Sequence, residues 1–389
     1  MPKIKVAFFA ETLEENYDGA VRTMYQIINR IPQETFEFLF FCGVPPKQAI
    51  GFPVRTMPAL TIPFNASYRI VLPFLSSFST TQQLDDFQPD IIHIATPSPM
   101  GHFALRYADK KNIPVISIYH THFLSYVAYY LKSTPFLIEP TVNRIAKRSK
   151  YFYDNCDLVY APTQEMVDYL AGYDHETGHM KIWQRGIDQQ LFSPTKKDKP
   201  RLQKITGNHK PNILFVSRLV WEKNLDTLIR FYQLNEAKGR PYNLLIVGEG
   251  VAQAALQEQM PNAYFLGNQS HTDLAFYYAS ADVFLFTSIT ETYGNVVVEA
   301  MASGLPCVIA NGGGSKSFIR HGINGFLCEP NHPRDYFDHI TQLLQQPHLY
   351  EQFQAESLAL VAPFNWDSLV AQYLEDLKLL QGRRQAVAA

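Results

Sequence analysis

The sequence of 389 residues is poor in cysteine and in charge, and both shortages limit what the protein can be. Its four cysteines (Cys42, Cys156, Cys307 and Cys328) include no Cys-x-x-Cys pair, so a reduced cytoplasmic protein is the simplest interpretation. Charged residues make up 18% of the chain and the formal net charge is −2, so the composition does not favour a nucleic-acid partner.

Long hydrophobic runs are missing as well. The apolar segment 6–10 is too short for a signal peptide, and no run approaches the roughly 20 residues of a membrane span. The stretch 59–78 is fairly apolar, but Pro63, Arg69 and Pro73 interrupt it. We therefore expect a cytoplasmic protein, and peripheral binding to the inner face of a membrane stays open.

What the chain does have is an alternation of short apolar runs with helical segments, in two consecutive series. This pattern predicts an α/β protein with two doubly wound parallel sheets, each covered by helices on both faces. The first Rossmann-like domain is expected at 1–195, the second at 196–365, and a C-terminal helical segment at 366–389. The charged stretch 196–210 is interpreted as the linker. Polar turns at strand carboxyl ends in both series suggest sites that face one another across a cleft.

The segment 287–306 predicts the most specific feature, a helix between two buried strands. Gly294 would start this helix and let a ligand approach the backbone closely. The amides of Asn295 and Val296 would then meet an anion, helped by the helix dipole. The alternative is a local strand, which the three consecutive valines 296–298 favour.

The two acids of this segment, Glu291 and Glu299, are expected to bind a group other than phosphate. A carboxylate at Glu291 would repel a phosphate, so it suits hydroxyl groups or a developing positive charge. Glu299 lies further into the helix and could accept hydrogen bonds from a ribose diol. Phosphate, ribose and a second hydroxyl-bearing ring together indicate a nucleotide sugar. The alternative for Glu299 is an ordinary surface residue.

Other candidates follow predicted strands elsewhere. Arg218 and Lys223 flank a strand-to-helix turn, where two cations could clamp a pyrophosphate. Gly19 opens a helix after the first strand, the usual place for a phosphate to meet backbone, but a plain turn glycine fits as well. No Gly-x-Gly-x-x-Gly occurs there, which argues against a dinucleotide-binding domain.

The histidines His120 and His122 follow the carboxyl end of another predicted strand, 114–118. They could be metal ligands, but no third ligand is obvious nearby, and His120 better suits a hydrogen bond to a substrate hydroxyl. The stretch 124–153 that follows mixes tyrosines with basic residues. It suits an acceptor or a membrane surface, or it is an amphipathic helix with a solvated basic face.

Taken together, the chain resembles the retaining glycosyltransferases of family 4, which have the two-domain GT-B fold. The resemblance covers nearly the whole chain, and its signatures occur in order at family-like spacing: Asp18–Gly19–Ala20, Tyr119–His120–Thr121–His122, Arg185–Gly186–Ile187–Asp188, Ser217–Arg218–Leu219 with Glu222–Lys223–Asn224, Gly248–Glu249–Gly250, and Glu291–x7–Glu299. The tyrosines after the histidine segment are similar to the branch that acts on diacylglycerol or related lipids.

The resemblance implies a role for each candidate. His120, Glu291, Arg218 and Lys223 would be catalytic, and the donor would be a UDP- or GDP-linked sugar bound without a metal or other cofactor. The last helix would cross back onto the first domain. The donor-binding residues would be Gly19, Arg218, Lys223, Gly267, Glu291, Gly294, Asn295, Val296 and Glu299.

Two departures from the family pattern leave the donor sugar and base open: Asn295 after Gly294, and 315–317 where an acid is common. We expect a hexose to be transferred to an acceptor hydroxyl, including that of a lipid. The alternatives are a nucleotide-sugar 2-epimerase of similar fold and a non-catalytic nucleotide-sugar-binding subunit. Product analysis with the donor alone separates the first alternative, and donor binding without turnover would identify the second.

Overall fold

The computed structural model describes residues 2–15, 19–62, 65–119 and 138–388. The chain forms two compact units. Unit 1 contains Met1–Arg185 and Trp366–Ala389, and unit 2 contains Gly186–Asn365. Each unit is built on a parallel sheet, which confirms the predicted α/β class with two parallel-sheet domains.

The strands of the described chain are β1 (Ile4–Thr12), β2 (Phe36–Val44), β3 (Val54–Thr56), β4 (Ala59–Ile62), β5 (Asn65–Val71), β6 (Ile91–Ile94), β7 (Val115–Ile118), β8 (Leu158–Ala161), β9 (Met180–Ile182), β10 (Asn212–Val216), β11 (Asn243–Val247), β12 (Tyr264–Phe265), β13 (Val283–Phe286), β14 (Cys307–Ala310) and β15 (Gly325–Cys328). The helices are α1 (Gly19–Ile28), α2 (Ser77–Phe87), α3 (Pro99–Lys111), α4 (Ile138–Asp154), α5 (Gln164–Ala171), α6 (Lys199–Thr206), α7 (Leu225–Ala237), α8 (Gln253–Gln259), α9 (His271–Ser280), α10 (Asn295–Ala302), α11 (Pro333–Gln345), α12 (Pro347–Val361) and α13 (Trp366–Ala388).

Both sheets share one topology. The strand order is β3-β2-β1-β6-β7-β8-β9 in unit 1 and β12-β11-β10-β13-β14-β15 in unit 2. In each sheet the chain moves outward from the first strand and then returns to pair on that strand's other side. This creates a switch point between β1 and β6 and another between β10 and β13. Ligands of doubly wound sheets bind at the carboxyl ends of the strands beside such a point.

The inner strands of both sheets are almost fully buried because both faces of each sheet are covered. In unit 1, one buried cluster packs α1 and α13 against one face, and a second cluster packs α3 against the other. In unit 2, a single cluster encloses the sheet from both sides. An antiparallel hairpin of β4 and β5 lies outside the main sheets, within the apolar stretch 59–78.

Helix α13 belongs to unit 1, and polar contacts fix it there. The Tyr373 hydroxyl lies 2.8 Å from Nδ1 of His93, and burial lowers the pKa of this histidine to about 3, so it stays neutral. Asp376 accepts a hydrogen bond from the Tyr160 hydroxyl at 2.6 Å and pairs with Lys181 at 2.8 Å. His93 therefore has a structural role.

The border between the units lies at Arg185 and Gly186, ten residues before the boundary expected from sequence. The charged stretch interpreted as a linker contains α6. Leu202 of this helix is fully buried in the core of unit 2, and the backbone N–H of Asp198 donates to the Ser280 hydroxyl at 2.8 Å. The charged residues on the outer face of α6 made this stretch resemble a linker, although the inner face of the helix packs against the core of unit 2.

Within the part of the chain that is described, no helix combines the length and the hydrophobicity needed to cross a bilayer.

Candidate functional site

The candidate site lies at the switch point of unit 2. Strands β10 and β13 are parallel neighbours, with Ile213 opposite Val283, yet β10 is followed along the chain by β11 on its other side. The loops that leave β10 and β13 at their carboxyl ends therefore diverge, and the candidate residues of both loops meet between them.

The loop after β10 presents its two cations differently. It contains a short 3-10 turn, Trp221–Lys223, which ends at Asn224 with a φ of 55°. Lys223 is buried, whereas Arg218 at the start of the loop is exposed. Among the described residues, none forms a hydrogen bond or ion pair with the Arg218 side chain, so its guanidinium is available to a ligand.

Lys223 and Glu291, which the sequence assigned to different parts of a substrate, form an ion pair. The Lys223 Nζ lies 2.6 Å from Glu291 Oε1, and the Ser288 hydroxyl donates to the same oxygen at 3.4 Å. The lysine side chain is 5% exposed and the glutamate 24%. The carboxylate balances a buried ammonium group and keeps one edge open to solvent.

Backbone contacts hold the two loops together. The Thr287 hydroxyl donates to the carbonyl of Lys223 at 3.1 Å, and the Thr290 hydroxyl donates to that of Glu222 at 3.2 Å. The side chain of Asn224 donates to the Thr287 carbonyl at 3.3 Å. These bonds fix the position of Lys223 relative to Glu291, as pre-organised electrostatics require.

Helix α10 begins beside this pair. Its N-cap, Gly294, has φ 91° and ψ 54° and no side chain to occupy the first-turn amides, which include those of Asn295 and Val296. A Cβ at Gly294 would lie 2.5 Å from the Cβ of Ser315, so the space beside the glycine is filled by the protein. Two features therefore require glycine at position 294: the close packing of Ser315 and the left-handed backbone conformation.

Ser315 is a candidate that sequence reasoning missed. It is fully buried, and its hydroxyl has no hydrogen-bond partner in the described chain. A buried hydroxyl next to a helix N-terminus is suited to an incoming phosphate oxygen. Its position after the glycine loop 312–314 was visible in the sequence, but its burial was not.

Glu299 is 9% exposed and lies on the second turn of α10, so it is not an ordinary surface residue. Its Oε2 accepts a hydrogen bond from the Tyr278 hydroxyl at 3.0 Å. Burial, followed by the nearby Glu299 charge, raises the pKa of Tyr278 well above its usual value. Tyr278 therefore stays a hydrogen-bond donor and orients the carboxylate.

The glycines after β11 and β12 complete this edge of the sheet. The N–H of Gly248 donates to the Gly267 carbonyl at 2.8 Å, and the N–H of Asn268 donates to Glu249 Oε1 at 3.3 Å. A Cβ at Gly248 would lie 1.9 Å from the Ser217 carbonyl oxygen, so no other residue fits there.

Two further candidates come from the first half of the chain. Gly19 begins α1 in unit 1, as predicted. His120 lies outside the described residues, as does His122, so their predicted roles stay predictions.

The described residues also contain one group with metal-ligand chemistry, Cys328, Asp335 and His339, whose ligand atoms lie within 4.8 Å of one another. Asp335 already accepts the N–H of Glu329 at 3.0 Å, at the start of α11.

Known proteins resemble this chain along nearly its whole length. The sequence model described as Glycosyltransferase Family 4 matches residues 17–191, and that described as Glycosyl transferases group 1 matches residues 197–358. The GDP-mannose-dependent alpha-mannosyltransferase of Mycobacterium tuberculosis is 27% identical over 99% of this chain and 99% of that protein. The alpha-monoglucosyldiacylglycerol synthase of Acholeplasma laidlawii is 24% identical over 89% of each chain.

Solved structures show the likeness in fold. Anabaena Alr3699/HepE in complex with UDP has a TM-score of 0.75 at 20% identity, covering 96% of this chain and 100% of that one. Sucrose-phosphate synthase of Thermosynechococcus elongatus also has a TM-score of 0.75, at 18% identity, covering 98% of this chain and 100% of that one.

Proposed function

The chain belongs to glycosyltransferase family 4 and has the GT-B fold, and from that premise we propose that it moves a hexose from a nucleoside-diphosphate sugar to an acceptor hydroxyl with retention of configuration. The observation that carries the proposal is the ion pair of Lys223 and Glu291 at the switch point of unit 2, beside the N-terminus of α10. Cation, carboxylate and helix end are the groups that a sugar diphosphate needs.

The donor diphosphate is assigned to the cations and the helix end. Arg218 is exposed and lacks a partner in the described chain, so it binds a phosphate without first breaking a contact. Lys223 reaches the other phosphate next to the amides of Asn295 and Val296. With two cations and a helix N-terminus balancing the charge, the reaction needs no metal ion.

The remaining groups are assigned to the sugar and the nucleoside. Glu299, oriented by Tyr278, accepts hydrogen bonds from the ribose, and the base lies near Gly267. Glu291 holds hydroxyls of the transferred hexose, and His120 contacts the same sugar.

The proposed chemistry is a substitution on one face of the sugar. The bond between C1 and the β-phosphate oxygen breaks, and the acceptor oxygen forms its bond to C1 on the same face. The acceptor proton passes to the leaving phosphate. Lys223 and Arg218 stabilise the negative charge that grows on that phosphate, so their contribution is larger in the transition state than in the bound donor.

For the acceptor we propose a lipid hydroxyl. The Acholeplasma relative is named for a diacylglycerol product, and Sulfoquinovosyl transferase SQD2 of Arabidopsis thaliana is 28% identical over 87% of this chain and 66% of that protein. For the donor, the mycobacterial relative is named for GDP-mannose and the Anabaena complex contains UDP, so both nucleotides are candidates. The protein would then work as a peripheral enzyme at the cytoplasmic face.

The test is a panel of UDP-, GDP- and ADP-hexoses, each offered with and without dispersed diacylglycerol. We expect one donor to be consumed only when acceptor is present, and proton NMR of the product to show the anomeric configuration of the donor. Inverted configuration would remove the retaining mechanism. A 2-epimer formed from donor alone would identify an epimerase, and donor binding without turnover would identify a binding subunit.

A further inference from the structure

The carboxyl end of β15 in unit 2 collects three side chains that have no role in the proposed transfer reaction. Cys328 is the last residue of the strand. Asp335 and His339 lie four positions apart on α11, so they share one face of that helix. The thiol, a carboxylate oxygen and a ring nitrogen of these residues lie within 4.8 Å of one another. We call Cys328, Asp335 and His339 the β15 cluster.

The distance between two of these donors is the one that a tetrahedral metal ion requires. The Sγ atom of Cys328 lies 3.6 Å from Nδ1 of His339. With a Zn–S bond of about 2.3 Å and a Zn–N bond of about 2.1 Å at the tetrahedral angle, the sulfur and the nitrogen of a zinc site are also about 3.6 Å apart. The Asp335 side chain is partly exposed, so a small rotation can bring its oxygen into the same range.

Neighbouring groups hold the donors in place. The His339 ring stacks on the buried Phe326 ring with 4.2 Å between centroids, and the His321 ring meets it edge-on at 5.4 Å. Oδ2 of Asp335 accepts the N–H of Glu329 at 3.0 Å, and a carboxylate that accepts one such bond keeps lone pairs for a metal. Contacts of this kind around a metal site orient the ligands before the ion binds.

We propose that the β15 cluster binds one divalent transition-metal ion such as zinc. A thiolate and an imidazole prefer such an ion to magnesium or calcium, which take oxygen ligands. Three protein ligands leave the fourth tetrahedral position to water. Asp335 and His339 are partly exposed, so the ion enters from solvent, and the Cys328 thiol releases its proton to solution as the sulfur–metal bond forms.

The carboxylate favours a metal over a simple hydrogen bond between the thiol and the imidazole. Such a hydrogen bond needs no acid, yet Asp335 brings one to within 4.8 Å of both partners. No lysine or arginine of the described residues forms an ion pair with Asp335, and the adjacent Arg334 lies 3.6 Å from Asp338 instead. The carboxylate and the thiolate together would balance the charge of a divalent ion.

A metal ion in the β15 cluster would stabilise unit 2, and no step of the proposed transfer passes through it. It would join the end of β15 to α11 and close the loop 329–334 between them. The Pro330 carbonyl in this loop accepts hydrogen bonds from the Asn224 side chain at 2.9 Å and from the Tyr336 hydroxyl at 3.3 Å. Because Asn224 directly follows Lys223, a fixed loop 329–334 would also support the loop that carries this lysine.

The first test measures how much zinc the chain retains. Untagged protein is equilibrated with zinc chloride in excess magnesium, separated from unbound metal by gel filtration and analysed for metal content. We expect one zinc ion per chain. Cys328→Ala and His339→Gln should each weaken zinc binding at least about a hundredfold, since removing even an outer partner of a metal ligand costs about 10- to 100-fold.

Two variants serve as matched controls. Cys307→Ala removes a fully buried thiol from the neighbouring strand β14, where this thiol donates to the Leu305 carbonyl at 3.4 Å. His348→Ala removes an exposed imidazole at the start of α12. Both variants should retain zinc as the unchanged protein does, because neither side chain belongs to the β15 cluster.

Cobalt identifies the sulfur ligand directly. Co²⁺ bound in place of zinc should give a thiolate-to-metal charge-transfer band in the near ultraviolet and the intense visible bands of a tetrahedral ion. Cys328→Ala should lose the charge-transfer band, and Cys307→Ala should keep it. Only the weak visible bands of an octahedral ion in the unchanged protein, without charge transfer, would overturn the proposal.

Zinc should also raise the melting temperature of the unchanged protein, because only the folded chain brings the three ligands together. Asp335→Asn and His339→Gln change partly exposed positions, so they should fold even if Cys328→Ala does not. Zinc should leave their melting temperatures unchanged. No retained zinc in the unchanged protein, or equal retention by it and these two variants, would reduce the β15 cluster to a hydrogen-bonded group.

These measurements need no substrate, so they separate this proposal from the proposed function. If zinc binds as expected but no donor supports transfer, the proposed function fails and the metal site stands. If transfer occurs but the chain retains no zinc, the metal site fails alone.

Discussion

Strand β13 has a lysine–carboxylate ion pair at each end, and the two pairs differ in what surrounds them. Before the strand, Lys199 lies 2.5 Å from Asp282, with 31% and 24% of the two side chains exposed. After the strand, Lys223 lies 2.6 Å from Glu291, with 5% and 24% exposed. The chemical pair is the same, but the second lysine is held in a nearly closed environment.

The comparison shows that the role of an ion pair depends on whether it lies at the amino or the carboxyl edge of the sheet. Asp282 also accepts the N–H of Asn212 at 2.8 Å, so the first pair ties α6 to the amino end of the sheet. The second pair lies between two diverging loops and next to the start of α10. In a parallel sheet only the carboxyl edge collects such loops and helix N-termini. We therefore expect the first pair to be structural and the second to be catalytic.

The largest expected effect comes from removing one lysine at a time. Lys223→Ala should lower transfer about a hundredfold, roughly 2.7 kcal/mol, because the leaving phosphate loses a fixed cation. Lys199→Ala is the matched control and should leave kcat/KM unchanged while it lowers the melting temperature. Steady-state kinetics with the donor from the panel measure both, and similar losses in the two variants would contradict the distinction between the edges.

A second test changes the backbone beside the Lys223 pair. Gly294→Ala should destabilise unit 2 by about 2 kcal/mol more than Gly322→Ala, because only the first puts a Cβ against Ser315. Both glycines have positive φ, 91° and 77°, so the conformational cost of a side chain is shared. Urea unfolding gives the difference, and equal midpoints would show that Ser315 moves aside.

A third test keeps the shape of the pair and removes one charge. Glu291→Gln should lower transfer at least about tenfold, or ~1.4 kcal/mol, because a neutral amide balances neither Lys223 nor charge on the sugar. Asp282→Asn is the control at the amino end of β13. A Glu291→Gln variant with normal kcat and KM would limit this glutamate to a structural role like that of Asp282.

The sequence predicted the general architecture better than the site. Alternating apolar runs such as Asn212–Val216 and Val283–Phe286 are unambiguous because they are buried on both faces. Strands β3, β4 and β5, between 54 and 71, were not predicted because Pro58 and Pro63 interrupt the stretch. Helix α6 was interpreted as a linker because few of its residues besides Leu202 point inward.

The pairing of Lys223 with Glu291 could not be predicted from their positions 68 residues apart. Alternation of strands and helices does not specify that β10 lies beside β13, and strand order is what brings the two loops together. The family resemblance named both residues, but it assigned one to phosphate and one to sugar. Their contact, like the burial of Ser315, depends on packing that only the structure contains.

The smallest expected effect concerns an acid without a paired cation, which extends the comparison to the other sheet. Glu11 lies near the carboxyl end of β1 and accepts the N–H of Val71 at 3.0 Å, and no lysine or arginine of the described residues pairs with it. Burial raises the pKa of this carboxyl above its ordinary value of 4.5. A raised pKa means that the folded protein holds the proton more tightly than the unfolded chain does. Stability is therefore fully present below pH 4.5 and falls as the pH rises through the folded pKa.

Glu11→Gln has no proton to lose, so its free energy of unfolding should match that of the unchanged protein near pH 4 and exceed it near pH 8. Urea unfolding at both pH values measures the difference. A variant that is less stable at the higher pH would mean that the carboxylate form is held by a cation after all. In that case, a lone acid at a carboxyl edge would no longer differ from the balanced one at Glu291.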